Sequence, residues 1–199
     1  MARYSNNNEN MAAKKEKKNK PLIFTIGHST RTLDEFNELL SAYGVKQVID
    51  VRTVPKSRHN PQFNEDALRA DLSHEKIAYA RDEGLGGLRH LRKDSKDSVS
   101  GAWRNASFRG YADYMQTDDF DSALKKLEKQ ALRKRTAIMC AEAVPWRCHR
   151  SLIADALGER GWDVCHIFSK TSSHLHARTP FAKVRKGKIV YPSERKTSP

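Results

Sequence analysis

Residues 135–169, RTAIMCAEAVPWRCHRSLIADALGERGWDVCHIFS, decide the fold. The run RTAIMCAE is short, apolar and closed by a carboxylate, which predicts a buried strand. HRSLIADALGERG predicts an amphipathic helix, and DVCHIFS a further strand. A strand, a helix and another strand in succession require a right-handed crossover between parallel neighbours.

The same alternation recurs upstream. LIFTIGHS (22–29) reads as a first strand and KQVIDVR (46–52) as a second. Between them TLDEFNELLSAYG sets Leu33, Phe36, Leu39, Leu40 and Tyr43 on one helical face. Thr32 and Glu35 stand at capping-box spacing and Gly44 at the stop. A helix after Asn64, through Ala67, Leu68 and Leu72, leads to a third strand at KIAYARD. The stretch from Leu85 to Gly110, rich in Gly, Ser, Arg and Lys, reads as a long functional loop or a helical insertion. DDFDSALKKLEKQAL restores the helical pattern with Phe120, Leu124, Leu127 and Ala131 inward, and AKVRKGKIVYP alternates around Lys-Gly like a small hairpin. The expectation is an α/β fold: a single three-layer domain with a mostly parallel sheet, a long loop insertion after the third strand and a small C-terminal hairpin.

The chain has 199 residues and a formal charge of +13. That charge is concentrated at the ends: residues 1–20 carry six Lys/Arg against two acidic groups, and residues 178–199 seven against one. Residues 1–20 are expected to be a disordered basic tail, 21–192 the folded domain and 193–199 a flexible tail. Basic ends suit a nucleic-acid partner, because Lys and Arg displace the counterions around phosphates, but they also suit solvated tails. No signal-peptide pattern or membrane span is legible, so a cytoplasmic protein with no membrane partner is expected. Three cysteines, Cys140, Cys148 and Cys165, cannot all pair, and reduced thiols are expected. The oligomeric state is not legible.

Parallel strands all end on one edge of the sheet, where ligands bind. The expected strand ends carry His28, Ser29 and Thr30; Asp50 and Arg52; Arg81, Asp82 and Glu83; and Cys140 and Glu142. The amino ends carry only Lys46, Gln47 and Lys76. Asp50 and Arg52 share a face, so they form either an internal ion pair or part of a site. Arg58, on the Pro-braced loop PKSRHNPQF, could clamp a phosphate or be solvated. Phe63 and Trp103 could stack on a base or anchor the core.

The loop 140–150, CAEAVPWRCHR, admits four chemical readings. Glu142 could act as acid or base while Arg147 and Arg150 hold phosphate. Cys140, where the strand leaves the sheet, could be a thiolate nucleophile with the following loop and helix start binding an anion. Cys140, Cys148 and His149, with His28, could bind a metal, although this spacing is not a common zinc pattern. The cysteines could be small buried fillers.

The segments TIGHSTRTLDEF, VIDVRTVPKSRHNPQFN, GLGG, WRNASFRGYADYM, MCAEAVPWRCHRSLIADAL and HLHARTPFAKV together resemble the family catalogued as domain of unknown function 488, over about residues 22–192. The resemblance implies a single α/β domain with a parallel sheet. It also implies a pocket built by His28, Ser29, Asp50, Arg52, Cys140, Glu142, Cys148, His149 and Arg150. It carries over no reaction.

The function expected from these features is nucleic-acid processing, with DNA in a repair or modification step as the substrate and a hydrolase or lyase as the enzyme class. Glu142, Cys140, Cys148 and Asp50 are the candidate catalytic residues. His28, Ser29, Arg52, Arg58, Arg147, His149 and Arg150 are the candidate substrate contacts. No cofactor is expected, a metal at Cys140, Cys148 and His149 being the lesser alternative. The rivals are a nucleic-acid-binding protein without catalysis and a small-molecule enzyme with thiol or phosphate chemistry.

Overall fold

The structure, a computed structural model, describes residues 20–90 and 99–193. The expected tails therefore lie outside the described residues, apart from Lys20 and Ser193. Six strands form one sheet: β1 (Leu22–Gly27), β2 (Gln47–Asp50), β3 (Ala78–Arg81), β4 (Thr136–Cys140), β5 (Asp163–Ile167) and β6 (Ser173–Leu175), in the order β3-β2-β4-β1-β5-β6. The first five are mutually parallel and β6 runs antiparallel to β5.

Helices cover both faces, which is why the central strands read as continuous apolar runs. Phe24, Val48, Ala137 and Met139 point to one face. There they meet Phe36, Leu39 and Leu40 of α1 (Leu33–Ala42) and Leu68 and Leu72 of α2 (Glu65–His74). Ile23, Ile49, Ile138 and Cys140 point to the other. They pack against α3 (Ala106–Tyr114), α4 (Asp118–Ala131) and α5 (Arg150–Glu159). The domain is thus three-layered, as the periodicity predicts.

Local signals hold where they were strongest. Thr32 accepts the Glu35 N–H while Glu35 accepts the Thr32 N–H, which fixes the start of α1, and Gly44 at φ 62° ends it. The C-terminal hairpin is present as β7 (Lys183–Arg185) and β8 (Lys188–Val190), a separate two-stranded sheet. Its turn, Lys186-Gly187, takes positive φ at both residues, the twist a tight hairpin needs. The insertion after β3 includes a 3-10 turn at Glu83–Leu85, and its last expected residues are already the first turns of α3. Residues 91–98 of that insertion lie outside the described residues. β6 carries no readable signal, being three residues, Ser-His-Leu, on the sheet edge.

One topological feature positions the site. The helix after β1 lies on one face and the helix after β4, its neighbour, on the other, so the chain diverges between these strand ends and opens a crevice. Backbone pairing continues just past both strands, with His28 N–H on the Cys140 carbonyl at 2.9 Å and Ser29 N–H on Ala141 at 2.9 Å. The loop after β4 then lies directly on Gly27, where a Cβ would collide with the Glu142 carbonyl.

Candidate functional site

Asp50, fully buried at the end of β2, binds its neighbour two residues on. Its carboxylate accepts Arg52 Nε–H at 2.9 Å and Nη2–H at 2.6 Å, and also the Tyr79 hydroxyl at 2.7 Å. Arg52 gives a further N–H to the Phe63 carbonyl at 2.8 Å and approaches His28 Nε2 at 3.2 Å. Because guanidinium only donates, His28 Nε2 accepts and its Nδ1 carries the proton, donating to the Ser29 carbonyl at 2.9 Å. Burial, helped by the Arg52 charge, lowers the His28 pKa from 6.5 to about 4, so the ring is neutral. It stacks on Phe63, with centroids 4.3 Å apart. Asp50 and Arg52 therefore form the internal ion pair, and Phe63 is a core anchor.

The thiols converge one strand away. Cys148 follows a 3-10 turn at Pro145–Arg147 and immediately precedes His149, the residue that opens α5. Its sulfur lies 3.6 Å from His149 Nδ1 and accepts Arg150 Nε–H at 3.4 Å. The sulfurs of Cys140 and Cys148 and a His149 ring nitrogen all lie within 4.8 Å of one another. His149 Nε2 donates to the Val51 carbonyl at 3.0 Å, which turns Nδ1 toward the sulfur. The Cys140 thiol donates to Cys148 and, with His149 and Arg150, pulls the Cys148 pKa well below the ordinary thiol range against the effect of burial. The same hydrogen bond, together with burial, pushes Cys140 well above it. Cys148 is therefore the more readily ionised thiol of the pair.

Each supporting group is held from behind. Gly87 of the GLGG segment lies against the His149 ring so closely that a Cβ would strike it. Tyr111 flanks the same ring at 5.0 Å. Arg150, 1 % exposed, also donates to the Glu142 carbonyl and so staples the loop closed. Its guanidinium brings positive charge to the sulfur, which favours the thiolate, and Cys140, Cys148 and His149 are also close enough together to hold a metal ion. His28, with both ring nitrogens committed, does not join the thiols.

A cavity of about 330 Å³ opens beside this loop, lined by His28, Ser29, Arg52, Lys56, Asn60 and Glu142 among others. Glu142 is exposed at its rim, whereas Asp50 lies beneath Arg52 and does not line it. Arg58 and Arg147 are exposed and stand outside the lining. The structure thus brings His28, Ser29, Arg52 and Glu142 to one cavity and Cys140, Cys148, His149 and Arg150 to one sulfur-centred cluster. The wall segment Ala141–Ala143 joins the two. Lys56, two residues before Arg58 on the same loop, is a lining cation that the sequence reading passed over, since nothing local separates the two.

A model of the family described as "Domain of unknown function DUF488" matches residues 32–157. The match includes every candidate residue from Asp50 to Arg150 and stops short of His28 and Ser29. No curated protein and no solved structure matches the chain. The matched span is more than half of the chain and contains β2, β4, the thiol loop and most of α5, so this chain belongs to the DUF488 family.

Proposed function

We propose that the protein is a nucleic-acid-processing enzyme, acting on DNA as a hydrolase or lyase in a repair or modification step, with the Cys148 thiolate as its reactive group. One observation carries the reading: Cys140, His149 and Arg150 all converge on one sulfur beside a cavity that bears the Glu142 carboxylate and the Lys56 cation. A thiolate present at neutral pH is a nucleophile, and a buried cluster of donors around it has no comparable value as packing. Glu142, exposed on the rim, is placed to exchange protons with a bound substrate, while Lys56 supplies positive charge for phosphate and Arg52, its charge balanced by Asp50, lines the wall. Cys140 and His149 set the ionisation of Cys148, and Asp50 orients Arg52. The overall charge of +13 supports a polyanionic partner.

The test is to incubate wild type, Cys148→Ser and Glu142→Gln with damaged, mismatched and single-stranded DNA. Conversion of one substrate by wild type, lost in Cys148→Ser and slowed by about a hundredfold or more in Glu142→Gln, is expected. Identical behaviour of all three proteins on every substrate removes the proposal.

The depth of the thiol favours a second reading. Cys148 is only 3 % exposed, which suits a small phosphate-bearing substrate. Binding to a polymer should weaken steeply with salt, and binding of a small molecule should not.

A further inference from the structure

A second cavity, of about 360 Å³, opens against the same loop, its wall including Trp103, Trp146, Phe168, His166, His174 and His176. Trp146 stands between Glu142 and Cys148 in the chain. Behind this wall runs a hydrogen-bonded chain that the sequence reading did not single out. The Thr25 hydroxyl meets His166 Nδ1 at 2.7 Å, His166 Nε2 meets His176 Nδ1 at 3.0 Å, and His176 Nε2 meets Asp155 at 2.8 Å. Asp155 also accepts the Tyr191 hydroxyl at 2.8 Å and the Thr179 N–H at 2.9 Å. An ionised Asp155 sets every proton in turn: His176 donates to it, His166 donates to His176, and Thr25 donates to His166. Both imidazoles have all their nitrogens committed and offer the cavity only ring faces and C–H edges.

Trp103 is braced by Phe108, Phe181 and Tyr191, with ring centroids 4.7, 4.9 and 5.4 Å away. Its buried indole N–H finds no hydrogen-bond partner among the described residues. Trp146 is 65 % exposed and leans toward Phe168 at 6.1 Å and 36°. Among the described residues, no Asp, Glu, Lys or Arg side chain lines this cavity. The walls are therefore largely flat and aromatic, and the volume lies in the roughly 300–1,000 Å³ range of small-ligand sites.

We propose that this cavity holds a nucleobase, stacked against its tryptophan walls. A base is planar, uncharged and rich in acceptors, and stacking on aromatic side chains tolerates any of the four. The inference deepens the nucleic-acid reading, on which it rests for the source of the base, by assigning the base and the backbone to separate cavities on either part of one loop.

The experiment uses full-length Cys148→Ser protein, so that no reaction consumes the ligand. It is titrated with free nucleosides, with a single-stranded oligodeoxynucleotide and with the same backbone made abasic, followed by tryptophan fluorescence and calorimetry. Binding of a nucleoside or of the base-bearing strand is expected, with the abasic strand about tenfold weaker. Trp146→Ala, at an exposed position that leaves the core untouched, should weaken binding about tenfold with an unchanged circular dichroism spectrum. Nucleosides binding as tightly as the strand identify a free small molecule as the source, and binding of the strand alone identifies an unpaired position in a polymer. Absence of all binding, equal binding of the abasic strand, or unchanged binding by Trp146→Ala overturns the proposal. Because binding is read without the thiol, failure of the Cys148 chemistry leaves this result standing, and turnover without base binding removes the pocket alone.

Discussion

Arg150 donates its Nε–H to the sulfur of Cys148 at 3.4 Å, and the same guanidinium donates Nη2–H to the carbonyl of Glu142. One buried cation thus ties the first residue of α5 to both ends of the loop that precedes it. Arg150→Met removes both donors and keeps the apolar stem. It should lower stability in chemical denaturation by about 1–3 kcal/mol, because buried acceptors are left unmatched. Arg150→Lys, with charge but no fork, should recover only part of the loss. Equal denaturation midpoints for all three proteins would show that the guanidinium is dispensable.

Cys148 should ionise well before an ordinary thiol, whose pKa is about 8.5. The rate at which native protein is alkylated at Cys148 should therefore reach its plateau at a lower pH than that of an ordinary thiol under the same conditions. Cys140→Ala, which removes the leading donor to that sulfur, should move that plateau to higher pH. A wild-type profile that coincides with that of an ordinary thiol contradicts the assignment.

Oxidation should join Cys140 to Cys148 and spare Cys165. The first two sulfurs lie within 4.8 Å of each other and belong to one core layer, while Cys165 is buried in the layer across the sheet. Mild oxidant should therefore produce one intramolecular disulfide, visible in intact mass and peptide mapping. Cross-linking that involves Cys165 in folded protein would count against this geometry.

Asp50→Asn should be severely destabilising, by about 3–5 kcal/mol, because it leaves the Arg52 charge 6 % exposed and unpaired. The loss should be read in urea midpoints at neutral pH. A variant as stable as wild type would mean that Arg52 has another counter-charge.

The folded pKa of His28 falls to about 4 and that of His166 to about 3, in both cases chiefly through burial, from an ordinary 6.5. Unfolding therefore takes up protons below that value. The stability from these two rings is complete above about pH 6.5 and declines as the pH falls toward 4 and then 3. Thermal midpoints should drop across that window, and His28→Phe should flatten part of the drop. A midpoint constant from pH 7 to about 4 would show that neither ring is held neutral.

The legible part of the site was its address. Parallel strands end on one edge, so periodicity alone places His28, Asp50, Cys140 and Glu142 on that edge, although of the four only His28 and Glu142 line the cavity. Their roles were not legible in the same way. Asp50 and Arg52 share a strand face, which made an ion pair foreseeable, but the contributions of Tyr79, Phe63 and His28 come from three other segments. Arg150 looked like a phosphate ligand because helix starts attract anions, yet its N–H groups meet the protein's own sulfur and carbonyl.

Nothing in the sequence links Thr25, His166, His176 and Asp155 into one chain, although Thr25, Asp155 and His176 stand in segments that carry the family resemblance. Thr25 and His166 sit in apolar strands, Asp155 in a helix whose residues Arg150–Leu157 are all buried, and His176 just past a strand too short and polar to recognise.

By itself the sequence determined the alternation of strands and helices, the two-faced sheet, the edge on which polar groups collect, and the caps and turns that bound the elements. These follow from interactions within a few residues and from the need to bury apolar runs. Only the tertiary structure decided which charges neutralise one another, which thiol ionises more readily, and which aromatic rings stand free to meet a ligand. Those outcomes depend on distances between segments remote in the chain, and hydrogen bonding and ionisation respond to such distances over a few tenths of an ångström.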